Sequence, residues 1–176
     1  AKLTLQDRTI DGKKDVVTSV KQLTGLVKVD EGATLNIGDG AMLINNAGSG
    51  VYVGNNANAV NMTGGSIKEN ESANDGAGIL AHGGTMNLTG GEITGNSSER
   101  AGGGVCYFAA GQVNLNGTRI SDNSAACGGG VYIESFNGSV VFTMKSGEIT
   151  GNRLIARDDG DGSYWMADGA GICAYG

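Results

Sequence analysis

The sequence predicts an all-β fold, a right-handed parallel β-helix solenoid of about six turns with three strands each. Three observations carry that prediction. The first is a repeat. Asn61–Asn70, Asn87–Asn96, Asn114–Asn123 and Thr143–Asn152 align, and their isoleucines Ile67, Ile93, Ile120 and Ile149 lie 26, 27 and 29 residues apart. A period of that size marks a stacked architecture. The second is alternation: short runs such as Met86-Asn87-Leu88 place apolar residues on either side of a polar one, which is the period of a strand and not of a helix. The third is glycine, 33 residues of 176 with no proline, falling at fixed offsets in the repeat instead of in a low-complexity tract.

Each turn reads as three strands. The first set is Leu3-Thr4-Leu5, Leu35-Asn36-Ile37, Val60-Asn61-Met62, Met86-Asn87-Leu88, Val113-Asn114-Leu115 and Phe142-Thr143-Met144. Their outer residues point inward and the central Asn or Thr points out. The second set centres on Ile10, Met42, Ile67, Ile93, Ile120 and Ile149, with polar flanks. The third set is Val27-Lys28-Val29, Val51-Tyr52-Val53, Ile79-Leu80-Ala81, Val105-Cys106-Tyr107, Val131-Tyr132-Ile133 and Ile172-Cys173-Ala174. From its second member onward this set follows glycine-rich corners such as Gly102-Gly103-Gly104, where glycine permits positive φ and close approach of turns. Stacked at ~4.8 Å per turn, six turns make a rod on the order of 30 Å long. A sandwich of hairpins would not repeat three strands in one fixed order.

The residues Asn70, Asn96, Asn123 and Asn152, continued by Asn45 or Asn46, form a column at the end of the second strand. Asparagine tolerates the left-handed conformation of a tight corner, and stacked amides can bond from turn to turn. The chain is read as a single domain over 1–176, a segment of a longer rod. Two insertions, 11–25 and 153–167, break its period. Val16, Val17, Val20 and Leu23 could lie across the first turn, and no comparable cover follows the last. That points to continuation by more chain or by another copy stacked end to end.

These residues resemble a known family. Leu3-Thr4-Leu5, Thr9-Ile10-Asp11-Gly12, Gly32-Ala33-Thr34-Leu35, Gly128-Gly129-Gly130-Val131-Tyr132-Ile133 and Thr89 to Asn96 are similar to pectin-lyase-like β-helix repeats of large bacterial surface proteins. A looser likeness is to the repeats of chlamydial polymorphic outer-membrane proteins. The resemblance implies a secreted or surface-attached, extracellular passenger, often adhesive, that contacts a host or neighbouring-cell glycan or protein. It names no receptor.

Composition narrows the partners. Net charge is −6 with no basic cluster, which argues against nucleic acid. No apolar run approaches the ~20 residues of a membrane helix. The chain begins at Ala1 without methionine or a signal-peptide pattern, as a trimmed or excised segment would. Three cysteines with no CxxC pair predict free thiols.

For chemistry, glycan cleavage by hydrolysis needs paired carboxylates. The outward positions of the first strands, Thr4, Asn36, Asn61, Asn87, Asn114 and Thr143, carry none. Ser66, Glu92, Arg119 and Glu148 flank the isoleucines and read as an exposed cross-turn stack. His82 sits beside Gly83-Gly84 with no nucleophile spaced for a triad. No cofactor is expected apart from calcium, for which Asp159 and Asp161 offer oxygens at alternate positions in a loop that lacks the closing Glu of an EF-hand. The outward column Lys28, Tyr52, Leu80, Cys106, Tyr132 and Cys173 is unusually apolar for a solvent face. Tyr52, Leu80, Tyr132 and Trp165 of the second insertion are therefore candidate contacts for a partner, unless that insertion folds Trp165 over Tyr132. The reading that follows is a non-enzymatic structural or adhesive module. The alternatives are a polysaccharide-active lyase or hydrolase domain, a head-to-tail filament subunit and, more remotely, an ice-binding face.

Overall fold

The computed structural model describes residues 1–15, 25–55, 57–135, 138–156 and 168–176. Its strands run in six levels of three. The first level holds β1 (Lys2–Leu5), β2 (Thr9–Asp11) and β3 (Val27–Val29), and the second β4 (Thr34–Ile37), β5 (Met42–Ile44) and β6 (Val51–Val53). The third holds β7 (Ala59–Lys68), β8 (Glu71–Ser72) and β9 (Ile79–Ala81), and the fourth β10 (Thr85–Thr94), β11 (Ser97–Ser98) and β12 (Val105–Tyr107). The fifth holds β13 (Gly111–Ser121), β14 (Ser124–Ala125) and β15 (Val131–Glu134), and the sixth β16 (Val140–Thr150), β17 (Arg153–Leu154) and β18 (Ile172–Tyr175). Every strand pairs in parallel with its counterpart one level away, giving three sheets: β1-β4-β7-β10-β13-β16 with β2 and β5 alongside, β8-β11-β14-β17, and β3-β6-β9-β12-β15-β18. Among the described residues no helix is long and apolar enough to cross a membrane.

Two details differ from the expected strand set. From the third level on, the first and second strands are one bent strand, so β7, β10, β13 and β16 each span both. The bend falls at a positive-φ glycine in each: Gly65, Gly91, Gly117 and Gly147. Gly91 has φ +78, and a Cβ there would lie 2.5 Å from the Gly65 carbonyl oxygen. The middle strand of these levels is an added two-residue pairing just after each ladder asparagine. Its residues Ser72, Ser97, Ser98 and Ser124 carry no apolar alternation to announce it. This also moves one boundary: Arg153–Leu154 is β17, part of the coil and not of the second insertion. Asp11 likewise ends β2.

The interior consists of columns. Ile67, Ile93, Ile120 and Ile149 stack in register, as do Val51, Ile79, Val105, Val131 and Ile172. The column expected to run through Met42 runs through Leu43 instead. Leu43 pairs with Ile10 and Ile67, while Met42 pairs with Ser66. Leu43 is wholly buried. The reason is spacing: in the third to sixth levels the inward residue lies three positions before its ladder asparagine, and Leu43–Asn46 keeps that interval.

The corner itself needs correction. The left-handed residue is the one before each ladder asparagine: Asn45, Glu69, Gly95, Asp122 and Gly151, at φ 55, 58, 65, 57 and 65. Asn70, Asn96, Asn123 and Asn152 are absent from the positive-φ set, so their side chains and not their backbone tolerance explain their presence. Each directs its amide into the coil. Asn70 Nδ2 donates to Asn96 Oδ1 (2.9 Å), Asn96 Nδ2 to Asn123 Oδ1 (3.0 Å) and Asn123 Nδ2 to Asn152 Oδ1 (3.0 Å). The same acceptors take the backbone N–H of the preceding asparagine, and Asn46 N–H closes the series on Asn70 Oδ1 (3.0 Å).

Glycine at the other corners allows contact between levels. A Cβ on Gly104 would stand 2.6 Å from the Gly130 carbonyl oxygen and 2.8 Å from Ile120 Cγ2. The inward columns lose their cover at the first and last levels, where Leu3 and Ile172 are exposed.

Candidate functional site

The outward face of the β3–β18 sheet carries the candidate contact surface. Lys28, Tyr52, Leu80, Cys106, Tyr132 and Cys173 pair in register, as the repeat predicts. They are not equally available. Cys106, Tyr132 and Cys173 are buried with Ala101 and Cys127 in a small second cluster, against which Leu80 and Phe108 pack. Tyr52 and Leu80 are half-buried. Trp165, and with it the expected cover of Tyr132, lies outside the described residues.

What emerges is a row of aromatic rings. Tyr52 and His82 have ring centroids 5.6 Å apart, His82 and Phe108 5.7 Å, Phe108 and Tyr132 5.7 Å, and Tyr132 and Tyr175 5.8 Å. Such offset and tilted pairs are favourable. At one end Lys28 Nζ lies 5.9 Å from the Tyr52 ring centre and 3.0 Å from Asp30 Oδ2. Three members, His82, Phe108 and Tyr175, were missed in the sequence. Each sits two residues beyond the central outward position of its strand. Period-two alternation returns that position to the same face, so the signal was present.

Electrostatics along the row are set by burial. Burial pushes the Tyr132 hydroxyl pKa well up, and its hydrogen bond to Glu134 Oε2 (2.8 Å) adds to that. Burial holds His82 below its ordinary 6.5, with the Asp75 carboxylate opposing. Neutral imidazole stacked on Phe108 is thus the folded form at pH 7. Below pH ~6.5 the unfolded chain binds a proton that the folded site resists, so His82 removes stability as pH falls through that interval and contributes none of the pH dependence above it. The expected result is that His82→Phe, which keeps a ring in the stack, loses less stability than the parent between about pH 7.5 and pH 5.5. Urea midpoints at the two pH values measure the difference.

The first-strand outward face is a different surface. Asn61 Nδ2 donates to Asn36 Oδ1, Asn87 Nδ2 to Asn61 Oδ1 and Asn114 Nδ2 to Asn87 Oδ1, each at 2.9 Å. This second amide ladder commits those side chains to one another. Beside it Glu92, Arg119 and Glu148 stack as expected, with Arg119 Nε 3.5 Å from Glu148 Oε2.

A cleft of about 560 Å³ runs along the two-residue strands, lined by Glu71, Ser97, Glu99, Asp122, Ser124 and Arg153 among others. Ser124 Oγ bonds Ser97 Oγ at 3.0 Å, and Lys14 Nζ lies 2.5 Å from Glu71 Oε1. No sequence signal pointed here, because the strands that build it are too short to show a period. Among the described residues no group of three or more His, Cys, Asp or Glu is placed to hold a metal ion. Asp159 and Asp161 lie outside them.

Cys127 and Cys173, expected as free thiols, are free and meet. Cys127 Sγ donates to Cys173 Sγ at 2.9 Å, both buried and both free. Burial first, and that bond second, push the Cys127 thiol pKa up to about 12. Cys106 is pushed well up by burial.

Residues 38–175 match the family model described as a right handed beta helix region. No curated protein and no solved structure matches the chain.

Proposed function

The chain belongs to the right-handed β-helix family, and from that premise we propose that it is a non-enzymatic structural and adhesive module of an extracellular bacterial surface protein. In this reading the rod is a rigid platform and the aromatic row is its contact face, taking a glycan or protein of a host or neighbouring cell. The observation that carries it is the row Tyr52–His82–Phe108–Tyr132–Tyr175, with neighbouring rings 5.6–5.8 Å apart. Tyr52, His82, Phe108 and Tyr175 keep exposed ring surface around the buried Tyr132, and rings held this way offer an apolar, low-entropy surface to sugar faces or to apolar side chains. Glycan-array binding by the parent, followed by titration of a hit against Tyr52→Ala and Phe108→Ala, tests it. Each variant is expected to weaken binding about tenfold, the loss of roughly 1.4 kcal/mol of ring contact, while the bound glycan stays intact. Unchanged affinity in both variants would move the contact face elsewhere.

A second reading is a polysaccharide-active domain, favoured by the cleft whose lining includes Glu71, Glu99, Asp122 and Arg153. Carboxylates in a groove are what glycoside hydrolysis uses, although fold alone does not choose between the two readings. Turnover of a polysaccharide panel that disappears in Glu99→Gln or Asp122→Asn would establish it.

A further inference from the structure

We propose that Cys127 and Cys173 are a paired-thiol modification site, which a peroxide converts to an intramolecular disulfide that clasps the last level of the rod. This rests on the geometry of the corner and does not depend on the aromatic row being a binding face.

The two sulfurs come from different parts of the coil. Cys127 stands at the corner before β15, bridged on one side to Ala101 and on the other to Asp168. Its N–H donates to the Arg100 carbonyl (3.0 Å), and its own carbonyl accepts from Gly102 N–H (2.9 Å). Cys173 is in β18, paired with Tyr132. They are 46 residues apart in the chain, yet their sulfurs are 2.9 Å apart. A disulfide bond is ~2.05 Å, so closure asks for less than an ångström of movement. Gly169, at φ +61, lets the chain turn tightly here: a Cβ on it would stand 2.8 Å from Cys173 Cβ.

The third thiol is excluded from the pair by its surroundings. Cys106 lies in the same cluster but is wholly enclosed, whereas Cys127 and Cys173 keep 4% and 7% of their surface. That opening suits a small oxidant better than a bulky disulfide. Hydrogen peroxide is the reagent the site would take. The Cys173 sulfur, acceptor of the Cys127 S–H bond, attacks a peroxide oxygen and gives up its own proton. The O–O bond breaks, water leaves after protonation, and Cys173 becomes a sulfenic acid. The adjacent Cys127 sulfur then attacks the Cys173 sulfur, the S–O bond breaks and a second water leaves. Two thiols are oxidised, one peroxide is reduced to two waters, and the S–S bond remains. The thiolate is the reacting form, so the high pKa of Cys127 makes the second step faster as pH rises.

The clasp would tie β18, and Tyr175 with it, to the corner before β15. Tyr175 is the last ring of the aromatic row, packed on Tyr132.

The test is folded full-length chain treated with hydrogen peroxide, quenched, denatured and titrated for free thiols, with peptide mapping of the product. The expected result is a fall from three thiols to one, a Cys127–Cys173 linked peptide, and reversal by a thiol reductant. Cys106→Ser should still form the link; Cys127→Ser and Cys173→Ser should not. The linked form should melt roughly 5–10 °C higher than the reduced form, because the cross-link closes a long loop of the unfolded chain. Three thiols retained by the folded protein, a link that needs Cys106, a link between two molecules, or oxidation of a single cysteine to sulfinic acid would each overturn the proposal.

Discussion

Asn96→Ala is expected to lower the stability of the chain by roughly 2–5 kcal/mol, since each buried group left unsatisfied costs ~1–3 kcal/mol. The side chain is wholly buried and every polar atom on it is used. Its Oδ1 accepts from Asn70 N–H (3.1 Å) and Asn70 Nδ2 (2.9 Å). Its Nδ2 donates to the Ile67 carbonyl (3.0 Å) and to Asn123 Oδ1 (3.0 Å). Alanine takes all of these partners away at a corner closed to bulk solvent. Asn96→Asp is no milder, because a second carboxylate oxygen would face three acceptors, the Ile67 and Thr94 carbonyls and Asn123 Oδ1. Asn36→Ala provides the comparison. It belongs to the outer ladder, where solvent can substitute for a lost amide, and it is expected to cost less than ~1 kcal/mol. Urea midpoints rank the three; an Asn36→Ala loss equal to that of Asn96→Ala would show that the inner ladder has no special weight.

Ile93→Asp is expected to abolish the folded state. Ile93 is wholly buried in the central column, between Ile67 and Ile120. Its Cγ2 occupies space that only a glycine leaves open: a Cβ on Gly78 would stand 2.8 Å from it. A carboxylate there has no partner, and an unpaired buried polar group costs several kcal/mol, a charge more. In a stack each level is held by its neighbours, so a breach in the fourth of six levels removes cover from both halves. Ile93→Val removes one methylene and should cost only ~0.5–1.5 kcal/mol. Circular dichroism and hydrogen exchange distinguish the outcomes. A cooperative melt of Ile93→Asp near that of the parent would reject the inward placement of this column.

Both predictions concern residues whose roles are legible in the sequence, though not equally. Ile93 was placed inward by alternation and period alone. Asn96 was placed at its corner by the same period, but the reason offered, a left-handed backbone, belongs to its neighbour Gly95. The Asn36–Asn114 column was seen as outward and polar; that its amides bond to one another was not. On the candidate contact face the register is as the repeat implies, and Trp165 lies outside the described residues. Tyr52, Leu80 and Tyr132 share it, but Tyr132 is largely buried, and His82, Phe108 and Tyr175 complete the row.

The division has a physical basis. Stacking depends on periodicity, and periodicity is a property of the linear chain: side chains two apart share a face, and residues one turn apart share a column. So the parallel stacking, the inward columns apart from Leu43 and the Asn70–Asn152 ladder are legible in the letters. The residues Cys127, Asp168 and the two-residue strands of the cleft lie at corners, where no alternation constrains the direction of a side chain. Their neighbours are chosen by how far each corner turns and how closely adjacent levels approach. That is why the meeting of Cys127 with Cys173, and of Glu71 with Lys14, became visible only once the coil was closed.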